Sequence, residues 1–418
     1  MALFKPNPDR ESVEELIESL SQDLASRYAG AEDELIREIA QRAYRDLELA
    51  QLAADAPGGM GLTVAERRRQ NRVLAELAAH RAKSLRELQA VAAGIVAQLR
   101  SENLARRTVH IAATQGEAAA VAQLGLAKRL DTRAVPIPLI GGGAAISTTT
   151  LTASASQAVG MVALSLHSRL EVLNQRITRY PQDAYQRIVS MHSPLTLAGV
   201  TTSKVQQAAT VQRFLSEGVT GFIDKADRRW TIGAYAEMAG RTSVNRAFND
   251  AGTWRMQQAG INLVTVVRGA DSCESCAAWA GKILSTDGTP AGTLSLPSTT
   301  SGQTLTVIVA GTVNDARNAG WNHPNCRCRL VAYLPGATKL QGATTYDPEA
   351  ERERARQREL ERQIRAAKRR EAVAPDQVSA ARARALVKER QQTMRDFLNE
   401  TGRKRSSYRE QLHFADGR

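Results

Sequence analysis

Apolar side chains recur at helical spacing along most of this chain. Val13, Leu16, Ile17, Leu20 and Leu24 keep three- and four-residue steps, as do Leu35, Ile36 and Ile39, which predicts a helix over residues 9–53. Asp9 and Ser12 are both candidate N-caps for it. The run APGGMGLT at 56–63 breaks the pattern, and Thr63 opens a second helical stretch that continues through VLAELAAHRAKSLRELQAVAAGIVAQLRSENLARR with few interruptions. A helical hairpin is the simplest arrangement, and the spacing matches no solenoid repeat.

Helical patterns return from Leu170 to about Gly260, punctuated by Tyr180-Pro181, Ser193-Pro194 and Gly218. A turn at FIDKADRRW precedes a helix carrying Tyr235, Met238, Arg241, Asn245 and Phe248. Two β-branched runs of strand length follow, INLVTVVRG and, at 305–311, LTVIVAG. Between them TPAGTLSLPSTTSGQT has little capacity to order itself. The chain therefore reads as a helical N-terminal region (1–130), an uncharged linker and small-residue helix (131–168), a helical middle (169–230), a small α+β module (231–336) and a charged helical tail (347–418). The expected fold class is mainly α, with an elongated helical N-terminal half.

Composition sharpens this picture at three places. Apolar residues make up 43% of the chain but aromatics only 4%, so its cores must be built from Ala, Leu, Val and Ile. Residues 134–168 contain no Asp, Glu, Lys or Arg. Gly141 to Gly143 and a Ser/Thr run make that segment a poor membrane span. A loop leading into a buried helix is expected, with conditional membrane or channel association as the alternative. The formal charge of +13 suggests a polyanionic neighbour. The tail holds +6 of that charge, and ERERARQRELERQIRAAKRREAV, with Leu360 and Ile364 on one face, predicts a largely solvated helix. Arg403, Lys404 and Arg405 are candidate contacts to DNA phosphates, without the aromatic interleaving that base stacking needs.

Candidate chemistry is concentrated in the α+β module. The N-terminus has no cationic segment leading into an apolar run, so no secretory signal and a reducing compartment are expected. All four cysteines lie in DSCESC and WNHPNCRCRL, at Cys273, Cys276, Cys326 and Cys328, with His323 just ahead of the second pair. These five residues are candidate ligands for a structural zinc ion, which takes four soft or borderline donors in tetrahedral geometry. Packed thiols and two disulfides are the competing explanations. A catalytic metal is disfavoured because Glu274 is the only carboxylate inside either pair. The order of CxxC before His323-Pro also excludes the zinc-deaminase pattern. A thiol nucleophile at Cys273 or Cys326 with His323 as base stays open.

GRTSVNRAFNDAG, VVRGADSCESCAAWAGKILS and HPNCRCRLVAYLPG, preceded by GFIDKADRRWTIGAYAEMAGRT, resemble the core of the phage minor capsid protein 2 family. That family is akin to the phage Mu F-type minor head proteins. Tyr346, QREL-ERQIRAAKRR and RDFLNETGRKRSSYRE extend the resemblance to roughly 220–410. It implies a non-enzymatic virion protein of the capsid interior near the portal vertex, made in the host cytoplasm. Such a protein acts in head assembly or in DNA packaging and delivery. Its implied partners are the portal protein, other capsid proteins and, through non-specific contacts, packaged DNA, with several copies around the portal. Some relatives carry ADP-ribosyltransferase-like domains, but Arg268 is not accompanied here by the expected Ser-Thr-Ser strand and catalytic Glu. The alternatives are an ADP-ribosyltransferase-like or thiol-dependent activity in the 231–336 module, and a basic DNA-binding virion protein.

Overall fold

A computed structural model of the chain describes residues 10–55, 63–130, 153–197, 204–218, 220–223, 225, 227, 229–268, 272–341 and 346–413. Asp9, the break at 56–62 and uncharged residues 134–152 lie outside the described residues. In chain order the elements are α1 (Arg10–Ala54), α2 (Val64–Ser101), α3 (Leu104–Leu130), α4 (Ala153–Leu197), α5 (Lys204–Ser216), β1 (Thr220–Ile223), β2 (Arg229–Thr231) and α6 (Ile232–Gln258). They continue with β3 (Leu263–Val267), α7 (Glu274–Ala277), β4 (Ile283–Ser285), β5 (Gly292–Pro297), β6 (Thr304–Thr312), α8 (Val313–Asn318), β7 (Arg329–Ala332), α9 (Pro348–Ala372) and α10 (Gln377–Thr401). The chain is mainly α, with a small five-stranded mixed sheet and a separate antiparallel pair, β1 with β2, among the described residues. Among the described residues no helix is long and apolar enough to cross a membrane.

Two local signals explain where the helices start and stop. Thr63 caps α2 with a reciprocal pair: its hydroxyl accepts from the Glu66 amide at 3.2 Å, and the Glu66 carboxylate accepts from the Thr63 amide at 2.8 Å. The long helical run expected to follow is broken at Asn103, whose φ of 48° is left-handed and cannot propagate a helix. The opposite correction applies at Pro181. It does not punctuate the helix, because α4 runs through it to Leu197, forfeiting one ladder hydrogen bond where Pro181 itself and, a turn to either side, Ile177, Ala184 and Tyr185 are buried.

The chain divides into two compact units, each gathered from three separated stretches. Met1–Ala25, Asn103–Leu170 and Ala236–Arg354 form the first, and Ser26–Glu102, Glu171–Tyr235 and Ala355–Arg418 form the second.

The first unit contains a five-stranded sheet of order β5-β6-β4-β3-β7. Its pairings are antiparallel except for β4 with β6. Val264 and Val266 of the interior strand β3 are fully buried with Leu284, Leu330 and Trp321. The segment expected to be unordered contains β5, held in register with β6 from Gly292–Val309 to Pro297–Thr304. Its Thr-Leu-Ser-Leu alternation is a strand pattern that needs a partner to become stable. Within the same unit α3 and α6 approach so closely that a Cβ on Gly116 would stand 2.1 Å from the Phe248 carbonyl oxygen.

In the second unit α9 is not simply solvated. Leu360 and Ile364 are buried against Met394 of α10, so one helical face of the charged tail is core. Arg369 is buried on the same helix. Its Nε donates to Asp33 at 2.8 Å, and an Nη stands 3.3 Å from Glu32. The Gly233 and His413 amides donate to the remaining oxygens of Glu32 and Asp33. Burial alone would depress the Arg369 guanidinium, but the two carboxylates outweigh it and hold it above the ordinary arginine range. This trio joins positions 336 residues apart.

Candidate metal centre

Both cysteine-bearing segments are short turns attached to the sheet. After β3 the chain makes the single helical turn α7, with Cys273 at its N-cap and Cys276 inside it. The Ala277 amide donates to the Cys273 carbonyl at 2.9 Å. A three-residue step in a helical turn brings two side chains to one side. The second segment follows α8 and leads into β7. In His323-Pro324-Asn325-Cys326 the Cys326 amide donates to the His323 carbonyl at 3.0 Å, and Asn325 has φ of 68°. Proline second and a left-handed asparagine third are the residues that a type II turn requires. The HPNC string is therefore a turn that delivers His323 and Cys326 to one side, after which Cys328 immediately precedes β7.

Helix α6 holds this turn through polar side chains on one face. Asn245 Nδ2 donates to the carbonyls of Cys326 at 2.8 Å and Cys328 at 3.2 Å. Asn249 Nδ2 also donates to the Cys328 carbonyl, while its Oδ1 accepts from the Leu330 amide at 2.8 Å. Thr242 Oγ1 accepts from the Asn325 amide, and Arg241 donates to Asn325 Oδ1 at 3.1 Å and to Glu18 at 3.0 Å. Because the backbone carbonyls are thus satisfied by α6, the side chains of Cys326 and Cys328 are directed into the core beside Cys276.

All five sequence candidates converge. Cys273 Sγ is 2.9 Å from His323 Nε2, and Cys276 Sγ is 3.4 Å from Cys326 Sγ. The donor atoms form two triads, Cys273–Cys276–His323 and Cys276–Cys326–Cys328, each with its members within 4.8 Å of one another. The second triad is fully buried. His323 Nδ1 lies 2.7 Å from the Pro324 carbonyl. In the neutral ring that contact places the proton on Nδ1, which turns Nε2 toward Cys273 as an acceptor. All four thiols are free, and 3.4 Å is well outside the roughly 2.05 Å of a disulfide.

Contacts with the Cys276 and Cys328 thiols, and a hydrogen bond from the Cys328 amide, hold Cys326 below the ordinary thiol range against the effect of burial. The reverse contacts, together with burial, push Cys276 far up. Chemically the cluster offers two things: a soft donor set drawn from two turns, and a thiol–imidazole contact at Cys273–His323. Four thiols and a carbonyl-oriented imidazole suit zinc as donors.

The other residues singled out from the sequence have different surroundings. Arg403 donates to Gln357 at 2.9 Å, and Arg405 makes a two-pronged pair with Glu410 at 2.8 and 2.6 Å. The Lys404 carbonyl accepts from Gln357, and its side chain is exposed. Arg268, at the end of β3, donates to Ser272 Oγ at 3.1 Å. Asn249, Thr242 and Glu18 were not given a role from sequence. The one signal available for them was the four-residue step of Asn245 and Asn249 in the predicted helix.

This is a helical chain with a small sheet whose two turns present a Cys/His cluster, an architecture consistent with the resemblance noted from its motifs. The profile of phage minor capsid protein 2 matches residues 14–399, and the chain belongs to that family. The match takes in the helical first half, which lies outside the 220–410 stretch where the motifs carry the resemblance. Membership carries a structural role in the virion and other capsid components as partners. No curated protein and no solved structure matches the chain.

Proposed function

We propose that this protein is a non-enzymatic minor component of the phage head, held in several copies at the portal vertex, where it serves head assembly or the packaging and delivery of DNA. The observation that carries the proposal is the family match, which spans residues 14–399 of a 418-residue chain and therefore covers both compact units. The charge of +13 supports proximity to packaged DNA through phosphate contacts that are independent of sequence. Exposed Lys404 is available for such contacts.

Cross-linking mass spectrometry on purified heads tests the placement. Cross-links to the portal protein are expected, whereas cross-links confined to the major capsid lattice would overturn it. Deleting residues 1–130 or 347–418 is a poor test of either role. Ile17 and Leu24 are core residues, as are Leu360 and Ile364, so either deletion removes packing as well as a surface.

A second reading, thiol-dependent chemistry at Cys273, is favoured by its 2.9 Å contact with His323. Self-cleavage, or modification by a thiol-directed electrophile far faster at Cys273 than at the other cysteines, would support it. Equal, slow labelling of the full chain would remove it.

A further inference from the structure

The cysteine cluster is odd if its purpose is packing alone. Two turns fifty residues apart in sequence bring four sulfurs and one imidazole nitrogen together in a chain that has no other cysteine. Thiols are weak hydrogen-bond donors and weak acceptors, and they satisfy one another poorly. An apolar core such as the one around Val266 and Trp321 is filled as well by alanine, valine or leucine.

Three features are those of a ligand shell. His323 is fixed by the Pro324 carbonyl so that Nε2 faces Cys273, the orientation in which a histidine ligates metal. The Cys328 amide points at Cys326 Sγ at 3.3 Å, as amides do around a sulfur that carries charge. Asn245 and Asn249 brace the carbonyls of Cys326 and Cys328, which fixes the turn that carries two of the thiols.

Five donors are present for an ion that takes four. The two triads have one member in common, Cys276, which touches Cys326 and belongs with both Cys273 and His323. We infer that the cluster binds one zinc ion per chain, with Cys276 as the donor that nothing else can replace and one of the remaining four as a dispensable spare. Zinc is assigned over calcium or magnesium because the donors are sulfur and imidazole rather than oxygen, and tetrahedral thiolate sites with histidine are its preferred setting. The ion joins the two turns and closes the loop between them. This inference does not depend on where in the virion the protein sits.

The test is metal content by elemental mass spectrometry on the untagged full chain, purified without chelator, beside circular dichroism of the same samples. One zinc per chain is expected for the native protein. Cys276→Ser is expected to lose it at least about tenfold, whereas one of Cys273→Ser, Cys326→Ser, Cys328→Ser and His323→Ala should retain it. Asn249→Ala should keep the stoichiometry while weakening zinc about 10- to 100-fold against a competing chelator, as removal of an outer-shell partner does. A well-folded native chain without zinc overturns the inference, and stoichiometric zinc in Cys276→Ser overturns the assigned pivot. If Cys276→Ser fails to fold, cobalt exchange into the native chain decides. Intense thiolate-to-cobalt charge-transfer absorption, with cysteines protected from alkylation until chelator is added, supports the site. Absence of both overturns it.

Discussion

The two compact units each pin together distant parts of the chain, and they do so with opposite chemistry. In the first, soft donors from two turns meet in an apolar core, and Cys276 and Cys326 touch at 3.4 Å. In the second, Arg369 is buried between Glu32 and Asp33, and the outer carboxylate oxygens are taken up by backbone amides. The ionic trio needs no further species to hold it, since both carboxylates face the one guanidinium and each of their four oxygens has a donor or cation beside it. The thiol cluster differs, because sulfur atoms facing one another supply little mutual stabilisation. One clasp is therefore intrinsic to the chain, whereas under the zinc proposal the other is conditional on an ion.

Metal removal should separate the two most widely. Chelation is expected to cost the first unit on the order of several kcal/mol, read as a fall in thermal midpoint that added zinc restores. The Arg369 trio should be indifferent to it. Arg369→Ala is the reciprocal experiment. It strands two buried carboxylates and should destabilise by about 3–5 kcal/mol, measured by denaturant unfolding at neutral pH. Rescue by zinc would contradict the separation. Gly116→Ala tests ordinary close packing in the first unit, away from either clasp. With a Cβ 2.1 Å from the Phe248 carbonyl oxygen, the helices must part, at about 1–3 kcal/mol.

Smaller effects sharpen the contrast further. Asn249→Ala removes a donor to Cys328 and an acceptor for Leu330, and is expected to cost about 1–3 kcal/mol. The loss should be evident in hydrogen exchange at β7. The smallest effect concerns pH. Burial holds His413 below the ordinary histidine value of about 6.5, with Arg365 and Arg369 acting in the same direction and Asp33 opposing them. The unfolded chain then takes up a proton first as pH falls. The contribution of this histidine to stability is thus full above about 6.5 and is lost progressively below it. His413→Gln should flatten that part of the stability–pH curve.

Several of these features were legible in the sequence because they depend on neighbours along the chain. The heptad-like spacing from Val13 to Leu24, the Thr63/Glu66 cap, and the β-branched runs at β3 and β6 all act within a few residues. The five donors could be named for the same reason: cysteines at C-x2-C and H-x2-C-x-C spacing stand out in a chain with no others. The corrections fall where a partner distant in sequence decides. Thr293 to Leu296 look like loop until β6 lies beside them. Pro181 looks like a break until buried neighbours carry the helix past it. The charged tail looks solvated until Leu360 and Ile364 find Met394.

By itself, then, the sequence determined the helical character of the chain, the family to which its motifs point, and the residue types and spacing of the thiol cluster. These are properties of local periodicity and of side-chain chemistry, which need no fold to exist. Only the tertiary structure decided that Asn245 and Asn249 hold the HPNC turn, that Cys276 is shared by both triads, and that Arg369 meets Asp33, 336 positions away, and its neighbour Glu32. Such pairings form when burial removes water from polar groups and leaves each one only the partners the fold brings within reach.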